Sequence, residues 1–104
     1  MAAVNLSSVS EFPHVKAIAS VGTTQQEINL PSGKLRVTVG GDAETSVAWS
    51  SVSDGAAMPA DFATVPANQL LEFDLSYAGA TKANKLAVAA ASGTANITVI
   101  LERI

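Results

Sequence analysis

Catalysis at neutral pH needs titratable or nucleophilic side chains gathered in one place, and this chain supplies few. It has one histidine, His14, and no cysteine among 104 residues. A hydroxyl nucleophile needs a base that is itself held by an orienting group. His14 stands directly after Pro13 with no such signature beside it, so it reads as a surface or interface histidine. Six of the nine carboxylates form three loose pairs: Glu72 with Asp74, Asp42 with Glu44, and Asp54 with Asp61. Two-residue spacing puts Glu72 and Asp74 on the same side of a strand, opposite Phe73, which is the pattern of a solvated face. Calcium takes six to eight oxygens from loops dense in Asp and Asn, and these loops are not dense in either. No catalytic, cofactor-binding or metal-ligating residue is assigned.

Two aromatic positions stand apart. Trp49 alternates with Val47 and is expected in the core, and Tyr77 closes a strand, where it serves as a core lid or an exposed contact. The "NLS" and "NIT" triplets match the glycosylation pattern. The start "MAAVNLSSVS" lacks a basic region followed by a long apolar run, so no secretory leader is read there and the triplets are taken as coincidence.

The remaining signal is apolar surface. Residues 50–69, "SSVSDGAAMPADFATVPANQ", hold two prolines and only two charges. The bland reading is a connection across the end of a domain, with 61–65 as a short strand tucking Phe62 and Val65 inward. The functional reading is a loop whose apolar groups cover a neighbouring subunit. Both combine if Phe62 points inward while Met58 and the alanines point outward. Interface cores are depleted of charge and enriched in Met and aromatics, so Met58, Pro59, Phe62 and Val65 become candidate contacts. Val4 and Leu6, in the unpatterned lead-in 1–13, join them as contacts of a flexible N-terminal arm.

The elements that must position these residues are short strands. "HVKAIASV", "QEINL", "KLRVTVG", "SVAWS", "DFATV", "NQLLEFDLSY", "KLAVAAA" and "ANITVILERI" show period-two alternation, divided by turns such as "PSG", "GGDAET" and "SGT". The glycines of "GGDAET" read as turn residues available for positive φ, and 85–91 with 95–103 as a hairpin. No helical period is sustained. Seven or eight strands at this spacing predict an all-β fold, an antiparallel β-sandwich or jelly roll over residues 14–104.

Composition then bounds function. Many of the hydrophobic residues are alanines, which bury little area, while ordering the backbone costs about 1–2 kcal/mol per residue. A monomer with so few large apolar anchors is marginal, and subunit association is the simplest remedy without disulfides or metal. A net charge of −3 and six scattered basic residues argue against nucleic acid as a partner. No apolar run reaches the roughly 20 residues of a membrane helix.

"SVSDGAAMPADFATVPANQLLEFDLS" followed by "KLAVAAASGTANITVILERI" resembles the small β-sandwich virion proteins of tailed bacteriophages, most of all capsid decoration (cement) proteins. The resemblance covers about residues 45–104 and transfers no defined motif. It implies a non-enzymatic homotrimer on the capsid surface, assembled in the host cytoplasm, bound between major capsid subunits and needing no cofactor. A tail, neck or fibre component and a carbohydrate-binding β-sandwich are the alternatives.

Overall fold

The computed structural model describes residues 3–49, 52–76 and 84–104. Nine strands follow in chain order: β1 (Val4–Asn5), β2 (His14–Val21), β3 (Gln26–Leu30), β4 (Lys34–Gly41), β5 (Thr45–Ala48), β6 (Ala63–Val65), β7 (Leu70–Ser76), β8 (Asn84–Ala90) and β9 (Ala95–Arg103). They form two sheets, ordered β1-β3-β8-β5-β6 and β2-β9-β4-β7. The all-β sandwich expected from the alternation is therefore what the chain forms. The ninth strand is the two-residue β1, too short for alternation to reveal.

The pairing is nested. β2 pairs with β9, β3 with β8, β4 with β7 and β5 with β6, all antiparallel. The first of these eight strands thus meets the last, the second meets the seventh, and so on inward. A long double-stranded ribbon paired in this way and rolled into two four-stranded sheets is a jelly roll. β1 is an addition, running parallel to β3 through Val4 opposite Ile28.

Alternation explains which side chains fill the space between the sheets. Leu35, Val37 and Val39 of β4 and Ile97, Val99 and Leu101 of β9 come from the second sheet. Ile28 and Leu30 of β3, Val47 of β5, and Leu86 and Val88 of β8 meet them from the first. In β2 the row that enters the core is the one carrying Ile18, whose cross-strand partner is Ile97. Lys16 and His14 belong to that row. A bulge between Ile18 and Val21, with Ser20 at φ 56°, resets the strand so that Val21 is also buried.

Three sequence expectations change. Residues 85–91 and 95–103 are not a hairpin: β8 lies between β3 and β5, and β9 between β2 and β4 in the other sheet. β8 is buried on both faces, Ala87 and Ala89 as well as Leu86 and Val88, so it must be central. The "SGT" turn, with Gly93 at φ 62°, carries the chain from one sheet to the other. Secondly, Gly40 and Gly41 end β4 and have no positive φ. Gly40 is required for close approach, because a Cβ there would stand 2.2 Å from the Gln69 carbonyl oxygen. Thirdly, part of the lead-in is docked: Leu6 N–H donates to the Asn29 carbonyl at 2.7 Å and its side chain enters the core.

Candidate functional site

The candidate interface residues separate by burial. Leu6 and Val65 are covered by the chain's own core, so neither is available to a partner in this fold. Val4 is half-buried against the same core. Met58 and Pro59 are half-buried, while Phe62 is 48% exposed. Phe62 is thus outward where an inward place was expected, because the inward row of β6 is Ala63 and Val65 and Phe62 has the opposite parity. Met58 is half-buried, while Ala56, Ala57 and Ala60 are exposed as expected.

Residues 53–57 are held by Gln25, a buried side chain that no periodic pattern marks. The Gln25 Nε2 donates to the Ala57 carbonyl at 2.9 Å, and its Oε1 accepts from Ser53 N–H at 2.8 Å. Its backbone N–H donates to Ala56 O, and its carbonyl accepts from Gly55 N–H. Asp54 Oδ1 accepts from Glu27 N–H at 2.9 Å. This part of the loop is therefore clamped along the start of β3. The signal that could have revealed it is an amide, which offers both donor and acceptor, beside a loop without a ladder of its own.

Trp49 departs furthest from expectation. Its spacing from Val47 predicts a core position, and it is 47% exposed. β5 ends at Ala48, and Trp49 continues the inward row beyond the cover of that sheet. Its indole stacks on Phe73 of β7, with centroids 4.6 Å apart and planes 22° from parallel. Trp49, Phe62, Val47, Ala48, Ala63 and Asp61 line an open, mainly apolar groove of about 340 Å³. That is at the lower end of the roughly 300–1,000 Å³ usual for small-molecule sites. Tyr77 lies outside the described residues.

The groove opens on one side of the sandwich, where β6 and β7 are the last strands of their sheets. β7 presents Leu71, Phe73 and Leu75 inward, opposite Val39, Val37 and Leu35 of β4. The β4 partners are fully buried, whereas the three β7 side chains are only partly covered. A three-residue β6 is too short to roof a seven-residue β7. Leu70, on the outer row of β7, is 66% exposed.

The carboxylates have local work. Asp74 accepts from Arg36 Nε at 3.1 Å, with Glu72 at 3.7 Å, on the solvated face of β4 and β7. The Asp74 hydrogen bond, then the charges of Asp74 and Glu72, raise the Arg36 pKa above its usual value. Asp42 accepts from Asn96 through both oxygens, and Asn96 Oδ1 in turn accepts from Ser20 N–H at the bulge. His14 is half-buried at the start of β2, in register with Leu101. Among the described residues, no three His, Cys, Asp or Glu side chains gather into a metal-binding group. No protein-family model, curated protein or solved structure matches the chain.

Proposed function

We propose that the protein is a non-enzymatic structural subunit of a virus particle, a jelly-roll decoration protein that stabilises a phage head by binding between major capsid subunits. The observation that carries this reading is the open β6/β7 side, where Trp49, Phe62 and Leu70 face solvent beside partly covered Leu71, Phe73 and Leu75. Aromatic side chains in a patch that becomes desolvated supply most of the affinity at protein interfaces. Capsid proteins are among the users of the jelly roll, although the fold alone hosts other functions. Many copies on one shell would add weak contacts into firm attachment. The test is a density gradient of particles released from cells carrying the gene. The wild-type chain is expected to band with the particles, and Phe62→Asp to remain in the soluble fraction with its strand circular dichroism intact. A wild-type chain found only in the soluble fraction contradicts the reading.

Glycan binding is the second reading, favoured by the exposure of Trp49 beside Asp61 in the groove. A pyranose ring stacks its apolar face on an indole while a carboxylate accepts from its hydroxyls. Trp49 is the only tryptophan, so its fluorescence reports this site alone. Saturable quenching by an oligosaccharide panel is the expected sign of glycan binding, and an unchanged spectrum across the panel removes this reading.

A further inference from the structure

We infer that β2 and β7, the two outer strands of the second sheet, are the two halves of one head-to-tail interface between copies of this chain. The inference rests on the assembly reading above and names a second copy as the occupant of the open side.

Among the described residues both strands are paired on one side only, and their open backbone edges are of matched length, eight residues in β2 and seven in β7. Their directions suit each other. β2, β9, β4 and β7 alternate in direction, so β2 and β7 run oppositely within one copy. A neighbour related by rotation about an axis along the strands therefore brings its β2 antiparallel to β7, continuing the sheet.

The side chains match by face. The outer row of β2 carries Val15, 61% exposed, and Ala17, and on that face β7 carries the exposed Leu70 followed by Glu72 and Asp74, which Arg36 of β4 holds. The inner row of β2 carries Lys16 beside Ile18, and on that side lie Phe73, the Trp49 indole and the groove with Asp61. Among the described residues, Lys16 and Asp61 each have no ion-pair partner within their own chain. An ammonium brought to this rim meets a carboxylate and an aromatic face together, and both favour it.

Charge also selects the symmetry. Pairing β2 with another β2 gathers the Lys16 of both copies on one seam with no carboxylate of β2 to meet them. Pairing the β6/β7 sides gathers Asp61, Glu72 and Asp74 of both copies on one seam, the last two only partly neutralised by Arg36. Like charges placed opposite one another are destabilising. The contact is therefore heterologous, and it makes a ring when the rotation closes.

Charge reversal tests this, because Lys16 and Asp61 are both exposed and either can change without disturbing the core. Lys16→Glu and Asp61→Lys should each weaken self-association at least about tenfold in sedimentation velocity, the like-charge penalty. The double variant Lys16→Glu/Asp61→Lys should recover most of that loss. Trp49 emission should shift to the blue with rising concentration in the wild type and the double variant, but not in the single variants. Single variants that associate like the wild type overturn the β2–β7 contact. If Phe62→Asp still dissociates in that case, the assembly reading survives. A wild-type monomer overturns the contact between copies, and the banding of that monomer with particles then decides the decoration reading by itself.

Discussion

Trp49 and Gln25 show where residue types stop being legible. Trp49 follows Val47 at strand spacing, and spacing alone places it in the core. What decides its exposure is that β5 ends one residue earlier and β6 is too short to cover it. Strand length, rather than alternation, sets the exposure of the last side chain in a row. Phe62 fails for a reason of parity, because Ala63 and Val65 are the inward row of β6 and Phe62 alternates to the other side. Gln25 was invisible because a buried amide carries no periodic signal. Replacing it by alanine leaves the Ser53 N–H and the Ala57 carbonyl without their side-chain partner. Both bonds are part-buried, and each contributes about 0.5–1.5 kcal/mol net. Gln25→Ala should therefore lower unfolding stability by about 2 kcal/mol in urea titration, with the m-value unchanged. A loss within the error of the titration would mean that the backbone bonds of residues 55 and 56 hold the loop by themselves.

Among elements, alternation found the strands well. Residues 14–21 and 26–30 were bounded as the structure has them, and β4, β7 and β9 to within a residue or two at most ends. Pairing was another matter. A short turn between two strands suggests a hairpin, and that inference failed for β8 and β9. The nested order of a jelly roll joins strands far apart in sequence, and no local pattern encodes it. Burial on both faces of β8 was the missing clue, masked because alanine is as common outside as inside. The paired glycines of "GGDAET" misled similarly. They suggested a turn conformation, while the structure uses Gly40 to let β4 approach Gln69. The apolar, charge-poor character of 56–66 was plain, but which of its side chains face solvent depended on the clamp at Gln25 and on the register of β6 with β5.

For the whole molecule, fold and composition point the same way. The two sheets close well along β2, β9 and β4 against β3, β8 and β5, where the inward valines, leucines and isoleucines are fully covered. They close poorly along β6 and β7. A chain rich in alanine has little core to spare, and burying a large apolar side chain is worth about 1.5–3 kcal/mol, so cover for Trp49, Phe62 and Leu70 by another subunit is a substantial gain for a domain of this size. The central claim is that this side is made for a protein partner, beginning with a second copy. Sedimentation equilibrium of the wild-type chain over a hundredfold range of concentration tests it most directly. The account predicts a closed oligomer that dissociates on dilution, and a single monomeric species across the whole range would contradict it.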